Sequence, residues 1–262
     1  SSDVRVGDQD GGGSIVSSYA TGSVTGSASY VGGLAGWSSG SITSSYWNTE
    51  TTGRPTSSGG TGLTSAQMKS ADNYSSWDTT SVWYLNGGQT APLLRSFLTP
   101  LTVSATSITK VYDGAAGTVT GATYTPASGA YDSSKVAGSL AWNGSGGAGA
   151  YGLTGLYASS QQGYLISYDS GSTLTIQPKA LTITANNASK TVGAANPAFS
   201  ATYSGLATGD TAASLIGTLQ YYTLATRSSG AGTYAISPYW QTSGNYSISY
   251  VNGALTVTAP FN

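Results

Sequence analysis

Gly13-Ser-Ile-Val-Ser-Ser-Tyr19 returns as Gly40-Ser-Ile-Thr-Ser-Ser-Tyr46, an offset of 27 residues, with Val31-Gly-Gly-Leu-Ala-Gly-Trp37 between the two. Ile15–Tyr19, Ser23–Thr25 and Ile42–Trp47 are short β-prone runs set apart by Gly and Ser, the pattern of strands alternating with tight turns. A repeat of this length buries its apolar face by stacking on its neighbour, so the pattern predicts solenoid coils.

A second, longer period begins beyond residue 98. Leu101-Thr-Val-Ser-Ala matches Leu181-Thr-Ile-Thr-Ala, and Lys110-Val-Tyr-Asp-Gly114 matches Lys190-Thr-Val-Gly193, both at an offset of 80. Tyr164-Leu-Ile-Ser-Tyr168 is echoed by Tyr246-Ser-Ile-Ser-Tyr250, and Leu174-Thr-Ile176 by Leu255-Thr-Val257. These are two copies of one module, joined through Gln177-Pro-Lys-Ala180. Asn252-Gly253 between alternating runs predicts a two-residue hairpin turn, with Asp169-Ser-Gly171 as its counterpart. Asp210 and Asp132 are each placed to cap a single helical turn.

Residues 50–98 follow neither repeat. Thr64-Ser-Ala-Gln67 has the form of a capping box with Leu63 and Met68 as its hydrophobic staple, which predicts a short helix over about 65–71. The dense apolar run that follows, Trp77, Val82, Trp83, Tyr84, Leu85, Leu93 and Leu94, reads as a cover for the raw end of the solenoid. The expected architecture is therefore all-β. It comprises the final coils of a parallel β-helix (1–60), a cap with one short helix (61–98), and two tandem β modules (99–179 and 180–262). Each module is read as an immunoglobulin-like sandwich or a β-grasp-like sheet; the Asp-capped turn favours the second.

The 262 residues include 9 Lys+Arg, 10 Asp+Glu, no His and no Cys, giving a net charge of -1. Imidazole and thiolate chemistry is absent, and no zinc or copper site is expected. Nine scattered basic residues cannot neutralise a run of phosphates, which argues against nucleic acid and against an anionic membrane surface. No apolar run is long enough for a membrane-spanning helix, so no membrane insertion is expected. The start at Ser1, in mid-pattern, suggests an excised piece.

Paired carboxylates are the remaining catalytic option. Only one Glu, Glu50, is present, and Asp113, Asp132, Asp169 and Asp210 are each read as turn or cap residues. Asp3, Asp8 and Asp10 beside Gly11-Gly-Gly13 supply hard oxygen ligands, but their spacing is not that of a calcium loop. The expectation is no enzyme, no metal and no cofactor.

Against that bland background stand 19 Tyr and 6 Trp. Exposed rings stack on sugar faces and supply contact area at low entropic cost. Period-2 alternation sends about half of the strand tyrosines inward. Trp142, Tyr239 and Trp240 sit at strand-to-loop transitions and are the candidate ligand-binding residues, for a glycan or a partner; packing between modules is the competing account.

Gly32-Gly-Leu-Ala-Gly36 with the Ser-Ile-x-Ser-Ser-Tyr runs resembles the GLUG motif of large bacterial exoproteins. Ser45–Gly53, Gly59–Met68 and Trp83–Arg95 are similar to the stretch that closes such arrays. Lys110-Val-Tyr-Asp-Gly114 resembles the YDG module; residues 180–190 and 196–206 resemble the MBG module, with Val192 where that pattern commonly has Tyr. The combination resembles filamentous-haemagglutinin-type adhesins exported by two-partner secretion. What the resemblance implies is a fragment of a secreted or surface-attached adhesin of a Gram-negative bacterium, a stiff non-catalytic rod for cell-cell, cell-surface or biofilm-matrix attachment. Its partners would be extracellular polysaccharide or a host or bacterial cell surface. The alternative is a self-assembling extracellular fibre subunit with homotypic contacts.

Overall fold

The computed structural model describes residues 13–26, 30–144 and 146–259; Asp3, Asp8 and Asp10 lie outside them. The described residues are mostly β, with 40% in strands, one short helix and several small sheets. It divides into two compact units. The first holds the chain up to Val103 with Tyr124–Ser139 and Leu156–Ser167; the second holds Ser104–Thr123, Leu140–Gly155 and the chain from Tyr168 onward. No helix among the described residues is long and apolar enough to cross a membrane.

In the first unit, β1 (Ser14–Val16), β2 (Tyr19–Ala20), β3 (Ser41–Thr43) and β4 (Tyr46–Asn48) are the echoing runs. β1 pairs with β3 in parallel, Ser14 opposite Ser41, and β2 with β4, Tyr19 opposite Tyr46, so the pairing register equals the sequence period. The corners repeat as well. Ser17 and Ser44 both take positive φ, 47° and 46°, and the next serine in each run bonds back through its hydroxyl, Ser18 to Val16 O and Ser45 to Thr43 O. A short polar side chain tolerates that left-handed turn, and the hydroxyl satisfies a carbonyl left over at the strand end. Asn48 caps the four-residue α1 (Thr49–Thr52), and β5 (Thr61–Leu63) adds to β4 in parallel. These ladders hold two and three strands, and among the described residues no solenoid is detected.

Thr64 and Gln67 form the expected reciprocal box: the Thr64 N–H donates to Gln67 Oε1 at 2.9 Å and the Gln67 N–H to Thr64 Oγ1 at 3.2 Å. The expected helix over 65–71 is instead two 3₁₀ turns, Gln67–Lys69 and Ala71–Tyr74. Ser70 between them is extended at ψ 125°, which stops propagation after one turn. Leu63 and Met68 are both buried. Tyr74, Trp77 and Trp83 then pack on Tyr19 and Tyr46, with Trp77–Trp83 centroids 4.4 Å apart. The Trp77 indole N–H donates to Ser44 O at 2.7 Å, the Tyr19 hydroxyl to Pro92 O at 2.7 Å and the Tyr46 hydroxyl to Asn73 O. β6 (Trp83–Tyr84) and β7 (Leu93–Leu94) form a small antiparallel pair held by the Arg95 guanidinium on the Trp83 and Thr79 carbonyls.

The first repeat supplies β8 (Thr99–Ser104), β9 (Ile108–Val111), β10 (Thr123–Pro126), β11 (Val136–Trp142), β12 (Gly149–Tyr151), β13 (Leu153–Ala158), β14 (Tyr164–Tyr168) and β15 (Leu174–Gln177). The second supplies β16 (Lys179–Ala185), β17 (Ala188–Thr191), β18 (Ala201–Ser204), β19 (Gln220–Tyr222), β20 (Gly232–Tyr239), β21 (Tyr246–Val251) and β22 (Gly253–Thr258). Sheet order β10-β8-β14 recurs as β18-β16-β21, and β9-β15-β12 as β17-β22-β20, with β19 added at the edge.

The expected closing hairpin is not formed. β21 lies beside β16 in one sheet, and β22 lies between β17 and β20 in the other. Neither Asn252 nor Gly253 takes the positive φ that a type I′ turn demands. Asn252 instead carries the chain from sheet to sheet, alongside the same switch at Asn186-Asn187 in the paired strand. Gly253 is required there by close approach: a Cβ would sit 2.4 Å from Ala185 O. The first and last strands of the repeat thus run parallel through both sheets, from Lys179 opposite Tyr246 to Thr191 opposite Thr258. Asp169-Ser-Gly171 likewise separates β14 and β15, which belong to different sheets.

β16 packs against β20 and β22, so the two sheets of the second repeat face one another. Leu181, Ile183, Ile236 and Leu255 between them are at most 1% exposed; burying each contributes about 1.5–3 kcal/mol. The helical turn, Ala212–Ser214, is capped by Thr211 in a box with Ser214 rather than by Asp210. The Asp210 carboxylate is taken by tyrosine hydroxyls. Asp132 does cap its turn, accepting from the Ser134 N–H.

Candidate functional site

Strand β20 alternates cleanly, with Ile236 and Pro238 inward and Ala235 and Tyr239 outward. Its antiparallel partner β19 sets Gln220 opposite Tyr239 and Tyr222 opposite Ser237. Side chains directly opposite share a face, so Tyr222 and Tyr239 are diagonal neighbours on the outer surface. Tyr222 is 58% exposed and Tyr239 is 41%.

Beyond Tyr239 the chain turns sharply. Trp240 has φ 91°, a sparsely populated conformation for a bulky residue that persists only where its surroundings impose it. Those surroundings are hydrogen bonds to its neighbours. Buried Gln241 accepts from the Tyr203 hydroxyl at 2.7 Å, and its amide faces the Ala212 and Gly217 carbonyls, each at 3.4 Å. The Tyr250 hydroxyl donates to Gln241 O at 2.6 Å, and Ile216 and Thr242 exchange backbone bonds at 2.8 and 2.9 Å. Burial holds the Tyr203 phenol above its ordinary pKa, so it stays a donor.

The consequence is a tryptophan pinned outward. Trp240 is 69% exposed, its ring edge-on to Tyr239 at 6.2 Å, and its Cδ1 lies 3.2 Å from where a Cβ of Gly217 would project. Any side chain at Gly217, itself at φ 90°, would push the indole off its floor. Ile216, 69% exposed, lies next to that floor. After Asp210 the chain carries one charged residue, Arg227, so the ledge is aromatic, apolar and uncharged, bordered by hydroxyl and amide groups.

Of the three candidate residues, the structure joins Tyr239 and Trp240 and leaves Trp142 out. Trp142 is 6% exposed at the end of β11, and its Nε1 has no partner among the described residues. Tyr222 and Ile216 were not singled out from sequence; the signal for Tyr222 was its place in the alternating run before Leu224, opposite β20.

The carboxylates have local partners. Asp113 accepts from Lys110 Nζ at 2.7 Å and from the Ala115 N–H, Asp169 from the Gly171 N–H, Asp78 from Thr80, Ser81 and the Ser81 hydroxyl, and Glu50 from the Ser65 N–H. The Lys110 and Ala115 bonds hold Asp113 below the usual carboxylate pKa. An open hollow of about 490 Å³ in the first unit is lined by Ser14, Ile15, Val16, Tyr19 and Leu34 and carries no titratable carboxylate.

The molecule is thus a β protein built on a tandem repeat, with an exposed aromatic ledge on the second repeat. An MBG domain (YGX type) spans residues 181–256 of that repeat, by the match of its family model. Nothing supports the likeness of the earlier runs to GLUG or YDG motifs or to a filamentous haemagglutinin. No curated protein matches the chain.

Proposed function

We propose that this chain is a non-catalytic attachment segment of a bacterial surface or secreted adhesin, and that the second repeat meets its target through the Tyr222–Tyr239–Trp240 ledge. The observation that carries the reading is Trp240: a large apolar ring held out in solvent by a strained backbone and a buried Gln241 network costs stability unless something stacks on it. An uncharged ledge bordered by hydroxyls and amides suits the apolar face of a neutral extracellular polysaccharide, or glycans on a host or bacterial surface. The adhesin class rests on the MBG domain. In the same reading the 27-residue parallel pairs are the last coils of a β-helix, residues 61–98 are its cover, and the second repeat is a small sandwich rather than a β-grasp sheet.

Self-assembly into an extracellular fibre is the second reading, favoured by exposed Val16 at the end of β1 and Leu224 beside the edge strand β19. Such edges template pairing with another copy.

Binding of the purified chain to a glycan array and to intact bacterial cells, beside a Tyr239→Ala/Trp240→Ala variant, tests both readings with light scattering as the mass readout. Saturable binding by a monomer, lost in the variant, is the expected result. Absence of binding together with growth into defined oligomers would replace the ledge with the fibre.

A further inference from the structure

Two tyrosine hydroxyls from different repeats meet on one carboxylate oxygen. Tyr112, in the Lys110–Gly114 turn that leaves β9, donates to Asp210 Oδ2 at 3.1 Å, and Tyr246, the first residue of β21, donates to the same atom at 2.5 Å. The two rings meet edge to face, centroids 5.4 Å apart at 84°, and are 8% and 5% exposed. The Ala207 N–H donates to Tyr246 Oη at 2.8 Å, fixing the loop that carries Asp210. A second tie lies alongside: Asn245 Oδ1 accepts the Ala148 N–H at 2.8 Å while Asn245 O accepts the Lys179 N–H at 2.9 Å. All of these residues belong to the second compact unit.

Neither half of this contact recurs in the other repeat. The residue 80 positions after Tyr112 is Val192, which has no hydroxyl. Tyr164 corresponds to Tyr246, is equally buried, and accepts the Asp132 N–H at 2.9 Å as Tyr246 accepts that of Ala207. Its ring, however, is covered from within its own repeat, by Tyr131 stacked at 6.0 Å and by Lys135 Nζ at 5.9 Å. The Asp132 carboxylate is spent on the Ser134 N–H and hydroxyl. The first repeat has the plug and a filled socket; the second has the socket and no plug.

We propose that Asp210 and Tyr246 form a docking socket on the MBG domain whose partner is a tyrosine-bearing turn of the module before it, here Lys110-Val-Tyr-Asp-Gly114. The half-buried, charge-assisted pair of hydroxyl bonds recognises a phenol and rejects a phenyl or an aliphatic side chain. The two repeats are a matched pair, not interchangeable beads. Among the described residues the plug and the open socket occur once each, and they satisfy one another within the chain.

Amide hydrogen exchange on the full chain tests this with Tyr112→Phe, Asp210→Asn and the double variant. The reporter is the Ala148 amide, which bonds across the repeats at Asn245. Each single change is expected to speed its exchange about tenfold, and the double variant no further than the faster single, because both changes act on the shared Tyr112–Asp210 bond. Asp132→Asn, in the filled socket, should leave it unchanged. Additive acceleration in the double variant, or unchanged Ala148 exchange in Tyr112→Phe, overturns the proposal. Tyr112→Phe deletes one oxygen and keeps the ring, so the fold survives to be measured even if Asp210→Asn unfolds.

Discussion

In the first repeat the strand that bridges two sheets breaks at Gly152 into β12 and β13; in the second the matching stretch runs unbroken as β20. The break has a local cause. Asn143 bonds Gly152 at both backbone N–H and backbone O, through its side chain and its own N–H, and withdraws that residue from the ladder. The lysines diverge in the same way. Lys110 Nζ meets Asp113 at the surface, whereas position 193 is Gly and Lys190 Nζ, 8% exposed as a residue, bonds the Thr226 and Ala194 carbonyls at 2.6 and 3.1 Å. The repeats keep strand order and interior residues while each turn finds its own hydrogen-bond solution. Sheets tolerate this, since loops over the surface absorb change that a packed core does not.

The largest expected effect tests whether the interiors are equivalent. Leu174 and Leu255 are 1% and 0% exposed at matching positions. Truncating either to Ala should cost about 2–5 kcal/mol, measured by denaturant unfolding. Equal costs sharpen the comparison. A Leu174→Ala loss of less than half the Leu255→Ala loss would break it, showing that the first repeat has a looser interior.

The sheet switches offer a smaller, asymmetric test. A methyl at Gly253 would press on Ala185 O at 2.4 Å, but at Gly171 it would meet only the Asp169 carboxylate at 3.3 Å. Gly253→Ala should therefore destabilise by about 1–3 kcal/mol, read as a lowered unfolding midpoint, and Gly171→Ala by much less. Equal losses would mean that the two crossings are built alike.

That asymmetry also explains which parts of the fold could be read in advance. The 27-residue echo was legible because parallel neighbours align identical positions, so Tyr19 finds Tyr46 and Ser17 finds Ser44 in one register. The module repeat was legible for the same reason. Asn252-Gly253 misled because a turn signal is local, while the partner that wins, β16, lies some 70 residues upstream. Asp210 misled likewise: its hydroxyl donor Tyr112 is 98 residues away, and an Asp before a short helical turn has the look of a cap. Of the candidate site, Tyr239 and Trp240 were legible from their strand-end position, and Trp142 had the same local signature but an interior address.

The smallest effect is in the titration of the two matching aspartates. Asp132 is held below the usual carboxylate pKa by the Ser134 hydroxyl and N–H, Asp210 chiefly by the Tyr246 hydroxyl with Tyr112 behind it. A depressed folded pKa means stability fully present above the ordinary carboxylate value of 3.8 and lost as pH falls through the folded value. Tyr246 has the opposite sense. Burial, then the Asp210 carboxylate, pushes it up to about 12, so its share is intact below pH 10 and is lost as pH rises through 12. Carboxylate titration by NMR should show Tyr246→Phe moving Asp210 back toward its ordinary value and leaving Asp132 in place. If both aspartates move together, the two sockets are coupled; if neither moves, the phenol bonds do not set Asp210, and the contrast between the repeats reduces to their turns.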